Sequence, residues 1–212
     1  MNPKQTFYEN QAKTIIDHLK KRQMDGCYCP TAADAVKKAM ELIPADCSVT
    51  FGGSMTLNES GIMAALQSRE DITFYDRSKA STPEEVQKIY RQAFSCDYYL
   101  MSTNAITLEG ELVNIDGNGN RVAALAFGPS NVLIVCGMNK VAVSTEEAIA
   151  RARNIAAPPN CNRLGRKTPC SVTGICGDCL SPDCICNHTV ITRRSGTPGR
   201  IKVLLVGEEL GY

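Results

Sequence analysis

Between Asn131 and Gly137 the chain places Val132, Leu133, Ile134, Val135 and Cys136 with no polar residue among them. A strand with one wet face alternates apolar and polar residues. A strand covered on both faces reads as a continuous apolar run, and such strands belong to parallel sheets with helices on either side. Four shorter stretches are strand-like as well: 48–51, 72–75, 98–102 and 201–206. Helical patterns fall between them. Residues 2–21 carry apolar side chains near helical spacing, Thr31 is a natural cap for a helix over 32–43, and Thr82-Pro83-Glu84-Glu85 is a helix start. A further helix is expected from Ser54 to about residue 67, and one from Thr145 to about 155, stopped by Pro158-Pro159. This alternation predicts an α/β fold with a parallel sheet.

Two segments break the rhythm. Residues 105–126 read as strands with a hairpin turn centred on Asp116-Gly117-Asn118-Gly119-Asn120. Residues 158–200 shift to Cys, Gly, Pro, Asn and basic residues before the apolar strand 201–206 resumes. The expected organisation is therefore an α/β domain over 1–157, a cysteine-rich insertion over 158–200, and a closing strand and tail over 201–212. No apolar run is long enough to span a bilayer, and the first twenty residues lack a signal-peptide core, so a cytoplasmic protein is expected.

In that compartment the 11 cysteines are read as thiols and metal ligands before disulfides. Cys176-x-x-Cys179 is the tightest chelating unit. Cys170 before it and Cys186 after it complete a four-thiolate set, with Cys161, Cys184 and His188 as alternates. Such a set suits tetrahedral zinc or an iron–sulfur cluster, and the spacing does not choose between them. The plain alternative is a group of structural thiols. Cys47, Cys96 and Cys136 read instead as buried small hydrophobes. Charge is uneven: residues 1–150 hold 14 basic and 18 acidic side chains, residues 151–212 hold 9 and 4. The basic excess coincides with the cysteines and would offset bound thiolates or meet an anionic partner.

Val49-Thr50-Phe51-Gly52-Gly53-Ser54 is a strand, a glycine turn and a helix start, at the strand end where open α/β sheets bind ligands. It has neither the dinucleotide fingerprint nor the P-loop lysine, and a tight turn with a capping serine is the alternative. Ser102-Thr103-Asn104 and Gly137-Met138-Asn139-Lys140 also follow strands. Lys140 could bind a phosphate or carboxylate, and Glu109 or Glu59 could act as a base or nucleophile.

Six short motifs in order resemble one family: Gly52-Gly53-Ser54, Thr56-Leu57-Asn58-Glu59-Ser60-Gly61, Thr103-Asn104-Ala105-Ile106-Thr107, Asn120-Arg121-Val122-Ala123, Phe127-Gly128-Pro129 and Gly137-Met138-Asn139-Lys140. They resemble the LUD domain of lactate-utilisation proteins, including its small C subunit-like members. The resemblance implies a Rossmann-like α/β/α sandwich of the ribose-5-phosphate isomerase and CoA-transferase superfamily. It supplies no catalytic residue. It implies a ligand cleft at Gly52, Gly53, Ser54, Thr103, Asn104, Asn139 and Lys140, with a small anion as ligand. Iron–sulfur subunits of a lactate-oxidation system are implied partners. The pattern Thr168-Pro169-Cys170, Cys176-x-x-Cys179, Ile185-Cys186-Asn187 is similar to that of longer LUD members. Three functions follow as expectations. The first is an accessory or redox-linked component of hydroxy-acid utilisation. The second is an isomerase- or CoA-transferase-like enzyme, which needs Glu59 or Glu109 in the cleft. The third is a zinc-stabilised binding module. Arg193, Arg194, Arg200 and Lys202 would serve nucleic acid in the third, but no aromatic residues interleave with them. Whether the chain self-associates is left open.

Overall fold

The computed structural model of the chain describes residues 2–212. Six parallel strands form the central sheet: β1 (Asp25–Cys29), β2 (Ser48–Phe51), β3 (Thr73–Tyr75), β4 (Tyr98–Met101), β7 (Asn131–Gly137) and β10 (Ile201–Val206), in the order β1-β10-β7-β4-β2-β3. The apolar run of β7 explains itself in this position. Val132, Ile134 and Cys136 point into one core, and Leu133 and Val135 into the other. The first core is covered by α1 (Pro3–Lys21) and α6 (Asn120–Phe127). The second is covered by α2 (Ala32–Leu42), α3 (Met55–Glu59) and α4 (Ile62–Gln67). A strand with helices over both faces has no wet side, so period-two alternation of polarity is absent while period-two alternation of contact persists. The result is a mixed α/β fold with a parallel central sheet flanked by helices.

The expected helix caps are in place. Thr31 and Asp34 form a reciprocal capping box at α2, and Thr82 accepts from the Glu85 amide at the start of α5 (Pro83–Gln92). The helix expected from Ser54 is interrupted. Gly61 sits at φ 83°, which separates the five-residue α3 from α4.

Two local expectations are corrected. The hairpin is real but lies earlier. It joins β5 (Ala105–Thr107) to β6 (Leu112–Asp116), and Gly110 takes the positive φ of 82° in its turn. Asp116-Gly117-Asn118-Gly119 instead starts helix α6. The Asp116 carboxylate accepts from the amides of Gly119 (3.3 Å) and Val122 (3.2 Å), the work of a helix cap rather than a hairpin turn. Nor do Pro158 and Pro159 end the last helix. Helix α7 (Thr145–Arg151) widens into a π turn at Ala152–Ala156 and continues as α8 (Ala157–Arg163). Prolines at the first positions of α8 follow that turn, where a missing N–H costs little.

A second, four-stranded sheet packs against the first core in the order β8-β5-β6-β9, with β8 at Val141–Ala142 and β9 at His188–Thr192. Strand β9 pairs antiparallel with β6 and ties the cysteine-rich segment to the domain. That segment also carries a short helix, α9 (Pro169–Thr173). Among the described residues no helix is long and apolar enough to cross a membrane.

Candidate functional site

In the sheet order, β7, β4, β2 and β3 are consecutive neighbours. All four run parallel, so their carboxyl ends share one edge. The chain passes from β2 outward to β3 and returns across β2 to β4, which makes this edge the switch point where open α/β sheets bind ligands. A cavity of about 350 Å³ lies there. Each strand delivers one part of its wall: Gly53 and Ser54 after β2, Arg77 after β3, Ser102, Thr103 and Asn104 after β4, and Lys140 after β7. Further lining comes from Asp116 and Arg121 at the start of α6, from Asn160, Arg163 and Arg166 in and after α8, and from Ile185 and Cys186 of the cysteine segment.

Lys140 is buried and donates to Thr56 Oγ1 (2.7 Å) and Ser102 Oγ (3.1 Å). Burial pushes its ammonium group down to about 8. Arg77 lies between two rings, 5.6 Å from the Phe51 centroid and 5.5 Å from that of Tyr90. Arg163 donates only to Asn160 Oδ1. Among the described residues none of these three cations pairs with a carboxylate. The cavity has one side-chain carboxylate, Asp116, and Arg121 faces it at 3.5 Å. Arg121 is also the brace of the site. It donates to the carbonyls of Ser102 and Ile115 and to the side chains of Asn104 and Asn114. Arg151 adds a second brace by donating to the carbonyls of Asn104 and Asn139, which joins the ends of β4 and β7.

Of the residues singled out in the sequence, Gly53, Ser54, Thr103, Asn104 and Lys140 line the cavity. Ser54 Oγ caps α3 by accepting from the Leu57 amide (3.3 Å). Thr103 donates its hydroxyl to the backbone carbonyls of Ala105 and Val113. Gly52 lies beneath the wall. A β-carbon there would stand 2.7 Å from the Tyr99 hydroxyl and 3.1 Å from the Arg121 stem, so the close approach admits only glycine. Asn139 and Glu59 hold the tail rather than the cavity. Asn139 accepts from the Leu210 amide and donates to the Gly211 carbonyl, and Glu59 accepts from the Gly211 amide at 2.6 Å. Glu109 is at the tip of the β5–β6 turn, exposed, with its carboxylate 3.8 Å from His18. Neither carboxylate required by the isomerase or CoA-transferase reading lines the cavity. Helix α3 has only five residues, so side-chain cations rather than a helix end supply the positive charge.

Arg77, Tyr90, Asn160 and Arg163 were not singled out from the sequence. Arg77 was within reach, because it follows β3 as Ser54 follows β2. The other three come from helices whose docking no local pattern announces.

The six cysteines of 161–186 line a second cavity of about 180 Å³. Cys161 and Cys170 are buried with their sulfurs 3.7 Å apart. Among the described residues no three side chains of metal-binding type already stand in coordinating positions. The expected set Cys170, Cys176, Cys179 and Cys186 thus shares one cavity with Cys161 and Cys184. Cys47, Cys96 and Cys136 are buried in the domain core, and Cys27 and Cys29 lie on edge strand β1, away from this cavity.

The LUD domain family's sequence model matches residues 12–206. The chain belongs to the LUD domain family. Among solved structures, this LUD domain is similar to a DUF162 family protein from Deinococcus radiodurans, with 12% identity, 94% of this chain and 98% of that chain covered, and a TM-score of 0.54. At that identity the likeness is one of fold. A tetrameric eIF2B-beta2-delta2 complex from C. thermophilum aligns at 14% identity over 54% of this chain and 44% of that chain, with a TM-score of 0.38. No curated protein matches the chain significantly.

Proposed function

We propose that this LUD domain binds a small organic anion, of the hydroxy- or keto-acid class handled in lactate utilisation, in the cleft at the carboxyl ends of β7, β4, β2 and β3. Its role is that of an accessory or redox-linked component of such a system. The observation that carries the reading is the convergence of Arg77, Lys140 and Arg163 on one cavity with no carboxylate partner among the described residues, while Arg121 faces Asp116 and Arg166 faces Asp183. A buried lysine with a lowered pKa, kept charged near neutrality and opening on a cavity, is the arrangement expected of a site that exchanges water for an anion. Family membership supports the lactate-related class. The cavity volume, about 350 Å³, suits a small ligand.

The isomerase- or CoA-transferase-like reading loses its support with Glu59 on the tail and Glu109 on a distant turn. Thermal-shift titration of the purified chain with L-lactate, pyruvate and ribose 5-phosphate separates the two. A saturable upward shift with lactate or pyruvate, reduced in Arg77→Ala, is expected. A shift with the sugar phosphate alone would transfer the site to the alternative.

A further inference from the structure

The cysteine cavity and the anion cleft share a wall. Ile115, Ala157, Ile185 and Cys186 line both. The peptide between Cys184 and Cys186 is laid against the cleft loop: a β-carbon on Gly117 would stand 3.4 Å from the Ile185 backbone, and Asn187 Nδ2 donates to the Gly117 carbonyl at 3.0 Å. Whatever holds the cysteines in place therefore also sets this side of the cleft.

All six thiols of 161–186 line the cavity, and Cys161 and Cys170 are the buried pair among them. The Cys161 and Cys170 sulfurs, on α8 and α9, are 3.7 Å apart. Two thiolates on one tetrahedral ion, each at about 2.3 Å from it, are about 3.8 Å apart. In a cubane cluster each cysteine binds a different iron and the sulfurs stand farther apart. Cys184 Sγ accepts from the Cys186 amide at 3.3 Å, which places these two cysteines on one tight turn. Six thiols thus face one cavity, and a soft cation is the ligand that such a lining suits. Arg153 pairs with Asp178, which lies between Cys176 and Cys179 in the chain.

We propose that this cavity is a mononuclear soft-metal site, with Cys161, Cys170, Cys184 and Cys186 as ligands and zinc or iron as the ion. Each thiol releases its proton to solvent as its sulfur binds, so affinity rises with pH. The metal ties α8 and α9 to the 184–186 turn and so pins the shared wall. The part of this inference that concerns the cleft rests on the anion-binding reading. The metal site itself does not.

The test is elemental analysis of the full chain purified anaerobically without chelator, with sulfide assay and cobalt(II) substitution. The expected result is about one zinc or iron per chain without acid-labile sulfide, and a thiolate-to-cobalt charge-transfer band on substitution. Cys161→Ser and Cys184→Ser should each weaken metal retention by at least about tenfold, while Cys27→Ser and Cys179→Ser retain it. Circular dichroism of every variant separates loss of metal from loss of fold, and a variant that does not fold is replaced by competition of the wild-type chain against a chelator. Metal-free protein, a Cys161–Cys170 disulfide, iron with stoichiometric sulfide, or metal lost with Cys179 rather than Cys184 would each overturn the assignment. Metal binding without anion binding would overturn the cleft reading and leave the metal site standing.

Discussion

Lys140 carries a charge in a place that charges avoid. Its folded pKa, about 8, lies below the ordinary lysine value of 10.5, so between those values the unfolded chain holds more protons than the folded one. The group's contribution to stability therefore rises with pH across that window, and the whole cost of burying the charge is borne below about 8. Lys140→Met should leave stability unchanged or raise it by about 1–2 kcal/mol at neutral pH in urea unfolding, while removing anion binding. A loss of stability would show that the lysine is there to hold Thr56 and Ser102 instead. Gly52 is the opposite kind of residue, structural and intolerant. Gly52→Ala should cost about 1–3 kcal/mol by the same measurement, because Tyr99 and Arg121 leave no room for a methyl group. Both residues stand out in the sequence as parts of strand-end motifs. Their different roles do not, since what separates them is the side chains that arrive from α6 and β4. The same holds for Glu59 and Asn139. Their motifs are visible in the chain, but the partner that claims them, the 210–212 tail, lies far away in sequence.

Elements covered on both faces are the legible ones. Strands β4, β7 and β10 show as apolar runs because each contributes alternate residues to both cores, and α2 and α5 show because Thr31 and Thr82 mark their starts. The errors arise where one local signal serves two structures. Asp-Gly-Asn-Gly suits a hairpin, and it equally suits a capped helix entry. The choice was made by β6 continuing to Asp116 and by Arg121 pairing with its carboxylate. Asp116→Ala is accordingly expected to destabilise the chain by about 3 kcal/mol, because it removes two cap bonds and leaves Arg121 buried without its partner. Asp116→Asn should cost clearly less, and equal losses in chemical denaturation would mean that the cap contributes nothing. Pro158-Pro159 misled for a related reason. A proline pair ends an ordinary helix, and the π turn at Ala152–Ala156 makes it acceptable here. That turn also brings Ala152, Ala156 and Ala157 to the cleft wall, where small side chains permit close approach.

At the scale of the molecule, two cavities lie back to back on one end of the sheet. One is walled by cations, of which Arg121 and Arg166 face carboxylates and Arg77, Lys140 and Arg163 do not, the other by thiols, and the Ile185-Cys186 peptide separates them. Within the basic excess of residues 151–212, Arg163 and Arg166 lie at the cleft, Arg153 lies beside the cysteines, and Arg200 donates to backbone carbonyls at the end of α6. Composition showed the excess but not its division, because the division depends on where the segment folds back. The fold and the cleft's position followed from strand order and strand ends. The identity of its cations did not, because Arg77 and Arg163 reach it only through tertiary packing. The central claim is that the cleft holds an organic anion through a charged Lys140. Calorimetric titration of the purified chain with lactate and pyruvate from pH 6.5 to 9.5 tests it most directly (the range brackets the Lys140 value of about 8). The account predicts saturable binding that weakens about tenfold per pH unit above the pKa of Lys140 and is absent in Lys140→Met. Binding that is independent of pH over that range and persists in Lys140→Met would contradict it.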